Sequence, residues 1–291
     1  MVNMLTNFIP SLFKTDKMFR SQGEKSVLFI TLDSCRYDTF QDADAPHLKG
    51  VGRLYRAMAP GNFTYSSHAA MFVGFTPGVA ALREPFVNPK CGKIFKIVGA
   101  GYPGKGTEHI TLEGSNIIEG FKRKGHLTLG SGAVGWFDPR TETGKLLTAD
   151  FDKFYYPQND YSLAKQIDWL SESLVDIRKP VFVFLNVGET HVPYYYEGAQ
   201  WSAKDNPCMP FSDKNNAEEC RRRQRECLEY VDRRLGPLIE AFHDATTVIC
   251  ADHGDCWGED GLWEHGIHHG KVLEVPLIYR LNGVTAGNDL V

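Results

Sequence analysis

Short apolar runs punctuate the chain and stop abruptly at polar, chemically capable residues. "SVLFITLD" (26–33), "PVFVFLNV" (180–187) and "TTVICADHG" (246–254) are rich in β-branched and other apolar residues, with little polar alternation. Continuous runs of this length predict strands buried on both faces, as in a parallel sheet. "HLTLGSGAVGWF" (126–137) and "EVPLIYR" (274–280) predict two more. Between them the period changes. "YSLAKQIDWLSESLVDI" (161–177) places Leu163, Ile167, Leu170 and Leu174 three and four apart, the mark of a helix with one apolar face. The segment 216–242 does the same with Leu228, Val231, Leu235, Leu238 and Ile239, and Pro237 predicts a kink in it. Helices are also expected over 47–59, over 116–125 and, after a turn, within "NFTYSSHAAMFVGF" (62–75), where Ser66 and Ser67 are good caps. "GKIFKIVGAGYPGKG" (92–106) fits neither period, and its glycines suggest a loop making a close approach. Strands alternating with helices predict an α/β fold built on a largely parallel central sheet with helices on both faces. No repeat or linker divides the chain, so a single domain is expected over 26–291. An arm, 1–25, precedes it and mixes apolar and basic residues without the apolar core or cleavage site of a secretory signal.

Composition narrows the classes. A chain of 291 residues, 42% hydrophobic and 23% charged, can bury a substantial core. Its net charge of −4 gives no electrostatic reason to expect nucleic acid. The one basic run, "CRRRQREC" (220–227), lies among Glu218, Glu219, Glu226 and Glu229 and reads as a solvated helix face. No apolar run reaches the roughly 18 residues of a membrane span. Seven cysteines without a C-x-x-C pair fit reduced thiols better than a disulfide framework, so a cytoplasmic location is expected.

The chemistry gathers where the apolar runs end. The first ends in Asp33, the second leads into "GETH" with Glu189 and His191, and the third ends in Asp252 and His253. The segment after it adds His265, His268 and His269. In open parallel sheets, sites form beyond the carboxyl ends of strands, where residues distant in sequence meet. Singly, each has a bland reading: Asp33 as a helix cap, His191 as a turn residue, Asp-His as chance. Arg36 is close enough to pair with Asp38.

Five blocks, "VLFITLDSCRYDTF", "NFTYSSHAAMFVGFTPG", "FVFLNVGETHVPYYYEG", "YVDRRLGPLIEAF" and "TTVICADHGDCWGEDGLWEHG…EVPLIYR", stand in an order that resembles the sulfatase-like branch of the alkaline phosphatase superfamily. That branch includes arylsulfatases, phosphonate monoester hydrolases, lipoteichoic acid synthases and phosphoethanolamine transferases. The resemblance implies an alkaline-phosphatase-like fold and one divalent metal held by Asp33, Thr64, Asp252 and His253. It also implies Thr64 as nucleophile, with His191 and His265 contacting the transferred group or a second metal. Nitrogen among these ligands favours zinc or manganese over calcium. Asn62, Arg36, Glu189 and His269 are weaker candidates for substrate contact; Glu189 and His191 with His268 and His269 are the alternative second-metal set. The expected activity is hydrolysis, or transfer, of a small-molecule phosphate or phosphonate ester. The alternatives are a sulfate-ester hydrolase working without formylglycine, because the C-x-P-S-R motif is missing, and a non-catalytic anion- or partner-binding relative. A chain of this length is expected to lack the family's C-terminal subdomain, which would leave pocket closure to the 100–160 region or to a second subunit in a homo-oligomer.

Overall fold

The three uninterrupted apolar runs form the middle of a sheet. The structure, a computed structural model, describes residues 26–74, 95–99, 108–112 and 115–285. In chain order, the first half holds β1 (Val27–Leu32), α1 (Tyr37–Asp42), α2 (Pro46–Lys49), β2 (Tyr55–Met58), α3 (Thr64–Val73), β3 (Phe95–Gly99), β4 (Glu108–Leu112), α4 (Ile117–Arg123) and β5 (Leu127–Gly132). Next come α5 (Glu142–Thr148), β6 (Lys153–Tyr155), α6 (Leu163–Leu174), β7 (Val181–Val187) and α7 (Ala217–Ala241). The chain continues with β8 (Thr246–Ala251), β9 (Cys256–Trp257), β10 (Trp263–Glu264), α8 (Gly270–Leu273), β11 (Glu274–Leu281) and β12 (Val284–Thr285).

The central sheet runs β12-β11-β8-β1-β7-β5-β6, with β2 also paired to β11. From β8 to β6 all neighbours are parallel, whereas β11 is antiparallel to β8 and closes that flank with β12 and β2. β7, an interior strand between β1 and β5, is buried along its whole length. Its alternate side chains serve two cores. Val181, Val183 and Leu185 meet the leucine face of α6, the apolar stripe of α7 and Leu48 of α2. Phe182 and Phe184 meet Phe72 of α3, Ile118 of α4 and Leu147 of α5. The sheet is therefore clothed on both sides, which is why its strands carry no polar alternation.

Three expectations need correction. The helix expected over 47–59 is a four-residue α2 followed by strand β2. Gly50 ends α2, and a Cβ at Gly52 would sit 2.4 Å from the Tyr279 carbonyl oxygen, so the chain there presses against β11 rather than coiling. The segment 92–106 contributes strand β3, paired antiparallel with β4. Neither Ser66 nor Ser67 caps α3; the helix begins at Thr64, with Phe63 in the extended cap position. α7 continues through Pro237 as one span, and Gly236 beside it lets the His47 ring pack against the helix backbone. The basic run at its start is paired: Arg223, nearly buried, binds Glu219 and Asp205, and Arg222 binds Glu219 and Glu226.

Asp232 of α7 is fully buried and holds α2 in place, accepting from the Leu48 N–H (2.8 Å) and from His47 Nδ1 (2.8 Å). Asp232→Ala leaves that buried N–H without a partner, which costs about 1–3 kcal/mol. Urea denaturation should show the midpoint falling accordingly; an unchanged midpoint would mean that α2 is held some other way.

Candidate metal and phosphoryl-transfer site

Register brings the strand-end residues together. β1 pairs with β7 on one side and β8 on the other, Leu32 lying opposite both Val187 and Ala251. The residues that follow emerge side by side at the carboxyl edge. Asp33 is fixed by its N–H to the Val187 carbonyl (2.9 Å), by Asn186 Nδ2 donating to Oδ2 (3.2 Å) and by Thr190 Oγ1 donating to its carbonyl (2.7 Å). Asp252 Oδ1 accepts from the N–H groups of Ser34 (3.2 Å) and His253 (3.0 Å). Ser67 Oγ donates to the Asp252 carbonyl (2.7 Å), which ties α3 to the end of β8. Thr64, the first residue of α3, is delivered to the same point. Its Oγ1 lies 3.4 Å from Asp33 Oδ2 and 3.4 Å from His253 Nε2.

Three of the four expected ligands, Asp33, Asp252 and His253, present donor atoms within 4.8 Å of one another, and Thr64 joins them at the distances above. His253 Nδ1 donates to the Gly254 carbonyl (3.0 Å), which leaves the Nε2 lone pair facing Asp33 Oδ1 and Asp252 Oδ2, each 3.6 Å away. Asp252 Oδ2 is buried without a hydrogen-bond partner. Burial pushes Asp252 up to about 7. Burial, then the neighbouring Asp252 charge, raises Asp33 as well, and burial takes His253 down to about 4. Two dry carboxylates, a neutral imidazole and an orphaned oxygen make a donor set that suits a divalent cation.

The two outer histidines stand beside this group. The His265 ring is 4.4 Å from His253 and 5.2 Å from His191, centre to centre. His191 Nδ1 donates to the Val192 carbonyl (2.8 Å). His265 Nδ1 donates to Asp255 Oδ1 (2.7 Å), while Asp255 Oδ2 accepts from the Tyr194 hydroxyl (2.8 Å), itself held by Trp257 Nε1 (2.8 Å). Burial pulls His265 down, but the Asp255 hydrogen bond and charge outweigh it and take the ring up to about 9. Each ring thus has Nδ1 engaged and Nε2 left over. His253, Asp255 and His265 form a second close group, although His253 has Nδ1 engaged with the Gly254 carbonyl and turns Nε2 toward the first.

The weaker candidates lie elsewhere. Glu189 is buried and accepts from the Leu163 N–H (2.8 Å) at the start of α6, burial raising it to about 7. The expected second-metal set of Glu189, His191, His268 and His269 is not among the ligand groups that meet within the described residues. Arg36 pairs with Asp38 and Glu259 and lies 4.0 Å over the Trp257 ring. His269 caps α8 and pairs with Asp260. With Asn62, Ser66, His268 and Lys271, it lines a neighbouring cleft of about 1130 Å³. Sequence reasoning missed His68, Asn186, Asp255 and Tyr194. His68 is fully buried among Phe72, Phe137 and Phe184, and its Nδ1 donates to the Thr64 carbonyl (2.8 Å), steadying the first turn of α3. The spacing of four from Thr64 was its only signal in the sequence.

The sheet order, with Asp33, Thr64, Asp252 and His253 gathered at its carboxyl edge, is that of an alkaline-phosphatase-like α/β fold. The solved structures that share it include the C-terminal periplasmic domain of phosphoethanolamine transferase EptC from Campylobacter jejuni (TM-score 0.59, 16% identity, covering 90% of this chain and 83% of that one). The corresponding Escherichia coli EptC domain, in complex with zinc, gives a TM-score of 0.57 at 14% identity, covering 89% of this chain and 74% of that one. The lipoteichoic acid synthase LtaP from Listeria monocytogenes gives 0.53 at 11% identity, covering 95% and 69%. The sequence matches no protein-family model and no curated protein. Both EptC domains are periplasmic, which gives no support to the cytoplasmic location expected from the cysteines. Among the described residues, no helix is long and apolar enough to cross a membrane.

The raised carboxyls carry a pH signature. Folded Asp252 keeps its proton to about 7, whereas an unfolded aspartate releases it near about 3.9. Between those values the folded state binds more protons, so chelator-treated protein should lose stability as pH rises through that window. Thermal melts should show a lower midpoint at about pH 7.5 than at about pH 5, with added zinc or manganese restoring more at the higher pH. Asp252→Asn should abolish metal retention and relieve the metal-free protein at high pH. A chelated wild type that gains stability with pH would refute the assignment of the cluster.

Proposed function

We propose that the chain hydrolyses or transfers phosphate or phosphonate esters of small molecules, with Thr64 as the attacking nucleophile. The observation that carries this reading is the Thr64 hydroxyl, buried at a helix start and 3.4 Å from both Asp33 and His253. Asp33, Asp252 and His253, with Thr64, would hold one zinc or manganese ion. When bound, that ion supplies positive charge that acidifies the hydroxyl and offsets the charge of the ester oxygens.

The remaining work belongs to the chain. Asp33 Oδ2 accepts the hydrogen bond of the Thr64 hydroxyl, aiming an oxygen lone pair away from the carboxylate. The first-turn N–H groups of α3 have no partners within the helix and favour an anion placed against them. The Thr64 oxygen attacks phosphorus, the bond to the leaving alcohol breaks, and the phosphoryl group passes to the threonine. His265, oriented by Asp255, offers its Nε2–H to the leaving oxygen or to a non-bridging oxygen, and His191 offers the second contact. Water, or a second alcohol, then attacks the phosphothreonine in the reverse sense; which of them does so separates a hydrolase from a transferase.

Thr64→Ala should fold, keep part of its metal and lose nearly all turnover, whereas mere helix capping would cost at most about 2 kcal/mol of stability and leave activity intact. Incubation with a slowly turned-over phosphoester should add phosphate mass to the wild-type peptide containing Thr64. An active Thr64→Ala protein, or sulfate esters cleaved far faster than any phosphorus ester in a panel run with defined metals, would sink the proposal.

His191→Ala and His265→Ala should each lower turnover by about 10²-fold while the metal content of the protein stays at the wild-type level. Unchanged kinetics in both would mean that the substrate lies elsewhere; metal loss in either would make the residue a ligand instead.

A further inference from the structure

The loop that follows β7 brings His191 and Tyr194 to the site and then returns to the start of α7. Two cysteines face each other across that return. Cys208 precedes the helix, its N–H held by Asn206 Oδ1 (2.9 Å), and Cys220 lies in the first turn of α7. The Cys220 thiol donates to the Pro207 carbonyl (3.3 Å), the peptide group that leads into Cys208, and the Asn216 N–H reaches the same oxygen (2.9 Å). Both cysteines are fully buried in one apolar cluster with Val192, Tyr194 and Trp257. The Cys220 sulfur thus stands against the peptide group that leads into Cys208, within the same buried cluster, and Cys220 is also the largest influence raising the Cys208 thiol. Cys208 Sγ also reaches the carbonyl of Cys256 (3.4 Å), a backbone contact. Cys227 stands about two helical turns further along α7 from Cys220.

We propose that Cys208 and Cys220 are a redox pair that closes to a disulfide in an oxidising compartment. Each thiol gives up a proton and together they give up two electrons. The acceptor is a disulfide-bearing oxidant such as oxidised glutathione, which is reduced to two thiols by way of a mixed disulfide with one of the cysteines. Because both sulfurs are shut away in the folded protein, the exchange takes place during folding or when the return segment opens. The bond would pin that segment to the first turn of α7 and so brace the loop bearing His191. Neither the metal cluster nor any catalytic assignment is needed for it.

The full chain should be refolded in a glutathione buffer, oxidised or fully reducing, with free thiols then blocked and the protein digested without reductant. The oxidised sample should yield one linked peptide pair joining Cys208 to Cys220, lighter by two hydrogens than the separate peptides. Its unfolding midpoint should stand roughly 5 °C above that of the reduced sample. Cys208→Ser and Cys220→Ser should each remove the link and the increment. Blocked thiols at both positions after oxidative refolding, or a bond joining either to Cys227 or Cys256, would overturn the proposal. Linkage mapping in the wild-type chain decides this even if a variant fails to fold.

Discussion

Two aspartates that share a dry space set the terms for everything around them. Asp33 and Asp252 are fully buried, and each follows the last residue of one of two paired strands, Leu32 lying opposite Ala251. Like charges so placed repel, and neither can recruit water to spread its charge. The surroundings respond in kind. Asn186, Ser34 and the His253 amide point donors at the carboxylates, and His253 turns a bare nitrogen inward between them. What is left over is one oxygen with no partner. Interiors rarely tolerate such a remainder unless something outside the chain completes it. A cluster of this make-up suits a positively charged partner, the reading proposed above, more than it serves stability.

The fold was largely legible because burial on both faces writes itself into composition. β1, β7 and β8 are apolar at nearly every position since each side of the sheet is covered, and α6 announced its inner face through Leu163, Ile167, Leu170 and Leu174. β2 was misread because Leu54, Tyr55 and Met58 fit a helical period as well as a strand; only the presence of β11 alongside decides the matter. The site was legible in proportion to how locally it is specified. Asp33, Asp252 and His253 stand at strand ends, where topology alone makes them suspect. Thr64 and His265 have no such marker and came from family resemblance. Asn186 and Tyr194 act through partners 153 and 61 positions away, so no window of neighbouring residues contains their role, and Asp255, ten residues before His265, shows its role only once the loop between them folds back.

Arg36 illustrates how a plausible binding residue becomes a fastener. A guanidinium beside a presumed anion site invites assignment to the substrate. Here its Nε donates to Asp38 (2.8 Å), Nη1 reaches Glu259 (2.7 Å) and the Asp255 carbonyl (3.2 Å), and the plane lies over Trp257. Few donors remain for a ligand. What Arg36 does instead is join the segment after β1 to the segment after β8, the two that carry the aspartates. Its planar fork suits it to hold several acceptors at once.

The parallel order of the sheet has a consequence for how the molecule comes into being. Thr64 and His253 meet across 189 positions, and Asp33 and Asn186 across 153. No contact of this kind can form until the crossovers between β1, β7 and β8 have closed, and such long closures come late on the folding path. The donor set consequently has no partial version in a half-folded chain. Cation uptake would register completed molecules only, so the loaded fraction of a preparation counts its native population.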